Sequence, residues 1–405
     1  MWVDERGMQP AKPYWSQSDV LRQAQDISPS VDLRRDFAGP TREVLRHTLV
    51  DSLRHHFVSD VPVGLFLSGG RDSTTLLGLA AEEQLGELRA LTLGFEEMRG
   101  TPADETALAA EVARMHSTRH HVQWTGAAEF ESDHDRVLTA MDQPSVDGIN
   151  VFAISKMAAK AGLKVAISGL GADELFAGYP SFRQIPKLVS ALAPFRSAPS
   201  VGRAIRAVSA PILKHFTSPK YASLFEYGTT TEEAYFLRRG LFMPWELPAM
   251  LAPEIVKEGW EALAPRFLLR SQTEGLRDPR AAITSLELSV YMRNQLLRDS
   301  DWAGMAHSLE IRVPFVDHVL FKTLAPFLIG PTQFTKIDMA NILRLRLPDH
   351  ILHRPKTGFS VPVRDWLMKN QAAQERDSPR GLRGWAQIVL AHQLNDRVQR
   401  RPATR

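Results

Sequence analysis

Apolar runs and amphipathic stretches alternate between residues 61 and 170. The apolar run Val61–Leu67 is followed by the turn Ser68-Gly69-Gly70-Arg71-Asp72-Ser73 and then by the helical pattern Thr74–Ala80. This order predicts a strand, a glycine turn and a helix. Similar patterns predict further strands at Arg89–Phe95, Arg119–Trp124 and Leu163–Ile167, and helices at Thr41–Phe57, Glu105–Met115 and Asn150–Ala161. The fold class predicted is α/β, with a parallel sheet and helices on both of its faces.

The pattern becomes helical beyond Tyr179. Prolines at positions 180, 186, 194, 199, 211 and 219 are expected to divide this part into short pieces, and longer helices are predicted over 253–297. The polar stretch Gln371–Gly381 predicts a loop or linker before a short helix at Trp385–Leu394. We therefore expect an N-terminal extension at 1–40, one α/β domain with a mostly helical C-terminal half at 41–370, and a linker, short helix and basic tail at 371–405.

The turn Ser68–Ser73 has the chemistry of a phosphate site. Backbone N–H groups at a strand–turn–helix junction point towards one spot, and the helix dipole favours an anion there. The turn lacks the lysine of a Walker A loop and the spacing of the dinucleotide fingerprint. It carries Asp72, whose carboxylate would repel a phosphate unless a divalent cation lay between them, so Mg²⁺ is expected. The alternative is a tight turn without a ligand.

The turn resembles the PP-loop of ATP pyrophosphatases, which cleave ATP between the α and β phosphates. Three further motifs resemble the synthetase domain of glutamine-dependent asparagine synthetases, and the likeness extends from about Tyr14 to about Trp366. They are Ile167-Ser168-Gly169-Leu170-Gly171-Ala172-Asp173-Glu174-Leu175-Phe176-Ala177-Gly178-Tyr179, then Met305-Ala306-His307-Ser308-Leu309-Glu310-Ile311-Arg312-Val313-Pro314-Phe315-Val316-Asp317, then Lys356-Thr357-Gly358-Phe359.

The resemblance implies an enzyme that adenylates a carboxylic acid with ATP, releases pyrophosphate, and lets a nitrogen nucleophile displace AMP. It implies that Asp72 and Asp173 hold Mg²⁺ and act in catalysis, and that Lys356 stabilises the charge that develops during adenylation and acyl transfer. The implied ATP contacts are Leu67, Ser68, Gly69, Gly70, Asp72, Ser73, Leu93, Ser168 and Gly169.

Several residues allow two interpretations. Asp173 and Glu174 could be carboxylates favoured at a helix N-terminus, and Glu105 could cap a helix instead of approaching the site. His120 and His121 are adjacent on a strand and face opposite ways, so a structural role is favoured over a metal pair. The candidate substrate contacts are four charged residues, Glu174, Arg298, Glu310 and Arg312. Three of them, Arg298, Glu310 and Arg312, could instead form a buried ion network with Asp301.

Composition indicates an ordinary globular chain. The 405 residues are 44% hydrophobic and 23% charged, with a formal net charge of +3. No apolar run is long enough to span a membrane and no signal-peptide pattern begins the chain, so a cytoplasmic location without a membrane partner is expected. The basic residues are scattered without a nucleic-acid-binding motif, and no nucleic-acid partner is expected. The absence of cysteine excludes disulfides, cysteine zinc sites and thiol nucleophiles within these residues.

Two departures from the resembling family affect the choice of reaction. The family normally carries a glutaminase domain with an N-terminal cysteine nucleophile, and this chain is expected to begin where such a domain would end. The second departure is Leu170, which stands where asparagine synthetases often have glutamate and β-lactam synthetases have tyrosine. Leucine cannot transfer a proton.

Three hypotheses for the function follow. The first is formation of asparagine from aspartate and ammonia. The second is a specialised ligase that amidates another acid or closes a macrolactam. The third is a synthetase half that works with a separate glutaminase chain, or a fragment without catalytic activity. Intact Ser68, Asp72, Asp173 and Lys356 argue against loss of activity.

Overall fold

The structure is a computed structural model. It describes residues 3–4, 7–8, 14–26, 40–213, 215–329, 333–355, 362, 366 and 382–400. The predicted linker 371–381 and Lys356 lie outside the described residues.

A five-stranded parallel sheet forms the centre of the fold, with the strand order β5-β4-β3-β6-β7. The predicted parallel sheet is confirmed. The central strand β3 pairs with β4 through Leu65 and Ala90, and with β6 through Leu65 and Ile167. The edge strand β7, which pairs with β6 through Ile311 and Ala166, was not predicted. The strands are β3 (Val63–Phe66), β4 (Arg89–Phe95), β5 (Arg119–Thr125), β6 (Val165–Ile167) and β7 (Glu310–Arg312), together with an N-terminal antiparallel pair, β1 (Val3–Asp4) and β2 (Gly7–Met8).

Helices account for most of the other described residues, and those predicted between 41 and 161 are present within a few residues of the predicted bounds. The helices are α1 (Gln17–Asp26), α2 (Pro40–Phe57), α3 (Arg71–Glu82), α4 (Thr106–Met115), α5 (Ala127–Ala140), α6 (Ile149–Lys160), α7 (Ala172–Leu175), α8 (Ser181–Leu192), α9 (Pro199–Leu213), α10 (Leu224–Tyr227), α11 (Thr231–Arg239), α12 (Pro253–Leu263), α13 (Pro265–Thr273), α14 (Pro279–Leu286), a π-helix (Glu287–Leu296), α15 (Leu297–Met305), α16 (His318–Leu328), α17 (Lys336–Ala340), α18 (Asp349–Leu352) and α19 (Leu382–Arg400). Short 3₁₀ segments are Glu96–Met98, Ala193–Ser197, Pro219–Ser223, Pro244–Ala249 and Pro314–Val316.

Buried apolar clusters cover both faces of the sheet. Successive residues of a strand point to opposite faces. In β6, Val165 and Ile167 belong to one cluster with Leu49 and Leu53 of α2, whereas Ala166 belongs to another. The second cluster includes residues of α5, α6 and α19, such as Phe130, Met157 and Trp385. The helices therefore pack on both faces, as predicted.

Two prolines do not end helices as the sequence pattern predicts. Pro186 lies within α8 and Pro211 lies within α9. A proline removes one backbone donor from a helix. In α8, burial of Phe182, Ile185 and Leu192 on the packed side of the helix offsets that loss.

Candidate active site

The turn after β3 is held in shape by its own serines. The Ser68 N–H donates to Ser73 Oγ over 3.0 Å, and the Gly70 N–H donates to Ser68 Oγ over 3.1 Å. The two hydroxyl oxygens are 3.0 Å apart. Helix α3 begins at Arg71, so its N-terminus and Asp72 lie at the carboxyl edge of the sheet. A preformed loop at a helix N-terminus is suited to binding phosphate.

The turn after β6 lies against this loop. A Cβ atom at Gly169 would lie 3.1 Å from Ser73 N and 3.2 Å from Asp72 Cβ. Gly171 has a φ of +101°, a conformation that favours glycine, and it directly precedes α7. Gly169 therefore allows the turn to approach Asp72 and Ser73, and Gly171 allows it to pack closely on Phe315. The two predicted motifs therefore meet.

Lys336 lies between the two predicted metal-binding carboxylates. Its Nζ donates to Asp72 Oδ2 over 2.6 Å and also forms an ion pair with Asp173. The side chain is buried, and the nearby Asp72 and Asp173 outweigh the opposing effect of burial and raise its pKa. The sequence analysis did not single out Lys336. The only signal is the capping pattern of Thr335 and Asp338, which predicts a helix start but not a function.

Arg280 fixes the segment that carries Lys336. Its guanidinium donates to the Phe334 and Leu175 carbonyls over 2.7 and 3.1 Å, and to Gln333 Oε1 over 2.7 Å. Burial lowers the pKa of Arg280 to about 10, so the group stays charged at neutral pH. Arg280 therefore ties α14 to both the α7 turn and the start of α17.

A cavity of about 980 Å³ opens over these turns. Its volume is at the upper end of ordinary ligand sites. The wall contains every described residue that was predicted to contact ATP or Mg²⁺. Those residues are Leu67, Ser68, Gly69, Gly70, Asp72, Ser73, Leu93, Ser168, Gly169 and Asp173.

The donors present fit a metal ion that is shared with a nucleotide. Asp72 and Asp173 both reach the same lysine ammonium, so their carboxylates are close together. Within the described ranges, no group of three or more acidic, histidine or cysteine side chains is placed to hold a metal. Mg²⁺ is commonly held by one or two carboxylates together with substrate phosphates. The pair is therefore suited to Mg²⁺ that arrives with ATP.

Comparison with known proteins identifies the family. The family model described as asparagine synthase matches residues 44–380. The chain belongs to the asparagine synthase family.

Curated relatives of this family match most of the chain. It is 32% identical over 79% of its length to a putative glutamine-hydrolysing asparagine synthetase of Mycobacterium bovis, covering 48% of that protein. It is 29% identical over 81% of its length to glutamine-hydrolysing asparagine synthetase 1 of Bacillus subtilis, covering 50% of it. It is also 23% identical over 76% of its length to amidase chry2 of Gibberella zeae, covering 48% of it. The chain thus spans about half the length of these relatives.

Glu174 is one of the residues of the family's second motif, Ile167–Tyr179. Its side chain is fully buried and borders the cavity, and Tyr179 OH donates to its Oε1 over 2.9 Å. Burial, with the nearby charge of Asp173, raises the pKa of Glu174 to about 8. Asp173 and Glu174 both lie in the first turn of α7, which also fits the interpretation as carboxylates favoured at a helix N-terminus, so a role of Glu174 towards a substrate stays a prediction.

The other three candidate substrate contacts of this asparagine synthase family member are outside the cavity wall. Arg298 pairs with Asp142 and also binds Gln143, and Glu310 binds Arg312 Nε over 2.8 Å. Arg312 Nη1 donates to two backbone carbonyls at the end of α2, and its Nη2 donates to Glu310 Oε2. Arg298 and Arg312 thus belong to separate, partly exposed ion pairs, and the role of the three residues towards a substrate stays a prediction.

Arg354, which precedes the family's lysine motif, binds Glu105 in the cavity wall. Glu105 Oε1 accepts from Arg354 Nη1 over 3.1 Å, and both residues line the cavity, so Glu105 reaches the site as well as preceding α4. Arg354 lies two residues before Lys356 in the chain.

Leu170 also lines the cavity. His120 faces Thr92, with Nε2 2.7 Å from the hydroxyl, which agrees with a structural role.

In the part of the chain that the structure describes, no helix is both long enough and apolar enough to cross a lipid bilayer.

Proposed function

We propose that this chain is an ATP-dependent carbon–nitrogen ligase that adenylates a carboxylate and transfers the acyl group to ammonia or an amine. The observation that carries the proposal is the meeting of the Ser68–Ser73 loop and the Ser168–Asp173 turn in one cavity with Lys336. A loop of backbone donors, two carboxylates and a buried cation are the groups that bound polyphosphate requires. Membership of the asparagine synthase family supports the same chemistry.

The proposed roles follow from where each group lies. The N-terminus of α3 and the amide of Gly69 are proposed to face the phosphates, and Lys336 to neutralise the charge of the departing pyrophosphate. Asp72 and Asp173 would hold Mg²⁺, which when bound polarises the phosphate oxygens and offsets their charge. Leu67 and Leu93, at the ends of β3 and β4, are proposed to contact the adenosine. Lys356 is proposed to stabilise charge during adenylation and acyl transfer.

The default acid is aspartate, and the product is then asparagine. The names of the bacterial relatives support this substrate. A second candidate is a ligase for another acid. It is supported by the apolar Leu170 in the cavity wall and by the similarity to amidase chry2. Under either proposal the nitrogen comes as ammonia or an amine, and supply by a separate glutaminase chain stays a prediction, as does the cytoplasmic location.

The test is AMP and pyrophosphate release from ATP and Mg²⁺ with ammonium chloride, with and without aspartate. Asp72→Ala protein is the blank, and Asp60→Ala is the matched control because Asp60 is an exposed carboxylate just before β3. Aspartate-dependent AMP with equal asparagine would support asparagine synthesis. Binding of ATP without a response to aspartate would support the second candidate, which a panel of acids in ATP–pyrophosphate exchange then identifies. AMP release by Asp72→Ala at the wild-type rate would contradict the site.

A further inference from the structure

Two acidic residues of the cavity wall lie outside the nucleotide motifs. Asp147 lies two residues before the start of α6, and Asp299 lies in α15. They are neighbours because Trp302 of α15 packs on Gly148, where a Cβ atom would lie 2.1 Å from the Trp302 ring. Neither carboxylate has a role in binding the phosphates proposed above.

Asp147 is held by one oxygen only. Tyr291 OH and Gln295 Nε2 donate to its Oδ2 over 3.0 and 2.6 Å. Both donors come from the π-helix, a rare element that often marks functional sites. Oδ1 has no hydrogen-bond partner among the described residues, and the side chain is partly exposed at the cavity wall. The carboxylate is thus oriented but not saturated.

Asp299 has an unpartnered oxygen although it is buried. Its side chain is 1% exposed, and Trp302 Nε1 donates to Oδ1 over 2.9 Å. Oδ2 has no partner in the part of the chain that is described. Burial raises the pKa of Asp299 to about 6, opposed by the nearby polar groups of Ser145 and Trp302 and increased by the charge of Asp147. A buried acceptor without a donor is costly unless a ligand supplies one.

The described cations that face these two groups are engaged elsewhere. Arg239 is the cation that lowers the pKa of Asp147, against the larger effect of burial, which raises it. Its guanidinium pairs with Glu287 over 2.7 Å and stacks 3.7 Å from the centre of the Tyr291 ring. Arg298, which faces Asp299, pairs with Asp142. The two carboxylates can therefore accept further hydrogen bonds, and their negative charge remains to be balanced. A small cation with several N–H groups suits both requirements.

We propose that Asp147 and Asp299 bind the primary ammonium form of the nitrogen nucleophile, and that Asp147 removes its proton before acyl transfer. The inference rests on the proposed ligase function. R–NH₃⁺ gives one proton to the Asp147 carboxylate, and the freed lone pair forms the C–N bond to the acyl carbon. The bond from that carbon to the AMP oxygen breaks with its electron pair, and the adduct nitrogen loses a second proton to water. Asp147 supplies the acid–base group that Leu170 cannot.

The test uses the full chain without ATP, so its outcome is independent of whether adenylation occurs. Ammonium chloride and ethylammonium chloride are titrated calorimetrically, with sodium chloride at equal concentration as the ionic control. Asp147→Asn and Asp299→Asn are nearly isosteric and are tested separately. Asp135→Asn is the matched control, since Asp135 is an acidic residue of α5 whose side chain is 98% exposed.

We expect saturable binding of a primary ammonium ion by wild-type protein and by the control, weakened about tenfold or more by each cavity variant, as the loss of one charge-assisted hydrogen bond implies. Binding should also weaken as the pH falls below about 6, because Asp299 then becomes protonated. Binding of ammonium alone identifies ammonia as the donor, whereas tighter binding of ethylammonium identifies an organic amine. The proposal is overturned if the ammonium salts give no binding beyond that of sodium chloride, or if both folded cavity variants bind a primary ammonium ion as tightly as wild type.

Discussion

Lys336 Nζ lies 2.6 Å from Asp72 Oδ2, although 264 residues separate them in the chain. The contact brings α17 against the start of α3, and Asp173 completes it from the turn after β6. Three segments of the asparagine synthase fold thus share one charge centre. Because two carboxylates meet one ammonium there, the cluster carries a net negative charge, and phosphates would need a divalent cation to approach it.

Replacement of Lys336 should weaken nucleotide binding. We expect Lys336→Met to lower the affinity for Mg²⁺-ATP about tenfold to a hundredfold, the value of a charge-assisted hydrogen bond to phosphate. It should also lower the melting temperature, because Asp72 and Asp173 lose their shared cation. Titration with Mg²⁺-ATP and thermal unfolding measure the two effects. Lys322→Met is the control, since Lys322 is exposed on α16. Affinity and melting temperature equal to those of the control would exclude the assigned role.

The sequence pattern predicts the nucleotide half of the site well for a physical reason. Strands β3, β4 and β6 are buried on both faces and carry apolar runs, and β3 and β6 end in glycine turns, so both their positions and the edge at which they meet follow from the pattern. Strand β7 has only three residues, and two of them are charged. Its place in the sheet depends on long-range pairing with β6, which local pattern does not show.

Lys336, Arg280 and Asp147 could not be found in the same way. Lys336 and Arg280 lie outside glycine turns, the Asp147-Gly148 turn belongs to none of the motifs, and each of the three matters because tertiary packing brings it to the cavity. The π-helix that orients Tyr291 and Gln295 has no sequence signature, since π geometry arises from packing and not from propensity. Helix α5 was also missed. Its polar residues Glu129, Glu131, Asp133 and Asp135 obscure the apolar side formed by Phe130, Val137 and Leu138.

Glu174 should make stability depend on pH. The pKa of its carboxyl is raised from 4.5 to about 8 in the folded chain, so the folded state holds the proton more strongly than the unfolded chain does. The stabilising effect is complete below about pH 4.5 and is lost as the pH rises through about 8.

Glu174→Gln should therefore gain stability relative to wild type as the pH rises from 5 to 9. The two pKa values correspond to at most about 5 kcal/mol. Urea unfolding at a series of pH values measures the difference. Glu131→Gln, an exposed position on α5, serves as the control and should show no such trend. Parallel pH curves for Glu174→Gln and wild type would mean that the carboxyl is not protonated in the folded state.

Gly178 provides the space that Asp173 occupies. A Cβ atom there would lie 1.8 Å from Asp173 Oδ1 and 2.6 Å from Lys336 Cε. We expect Gly178→Ala to displace Asp173, to cost about 1–3 kcal/mol of stability by overpacking, and to weaken binding of Mg²⁺-ATP. Gly259 in α12 is the matched control, because nothing lies within 4 Å of a Cβ atom there. Gly259→Ala should instead stabilise by about 0.5–1 kcal/mol. Equal nucleotide affinity for both variants would contradict the proposed position of Asp173.

Arg312 distinguishes a structural brace from a substrate contact. Its Nη1 donates to the His56 and Val58 carbonyls over 2.8 and 2.7 Å, and its Nε donates to Glu310 Oε1 over 2.8 Å. The guanidinium thereby joins β7 to the end of α2. Arg312→Lys cannot reproduce this planar arrangement. We expect it to lower the free energy of unfolding by about 0.5–1.5 kcal/mol, since the part-buried His56 carbonyl and the exposed Val58 carbonyl lose their shared donor.

A brace and a substrate contact give opposite results in two measurements. If Arg312 is a brace, Arg312→Lys lowers the melting temperature while the KM for the acid in the AMP-release assay stays at the wild-type value. If Arg312 binds the substrate carboxylate, that KM rises while the melting temperature is unchanged, because the lost contact exists only with substrate bound. Its absence from the cavity wall favours the first result. Arg312 would then hold the parallel strand β7 at the sheet edge, and its place in the family motif would serve folding.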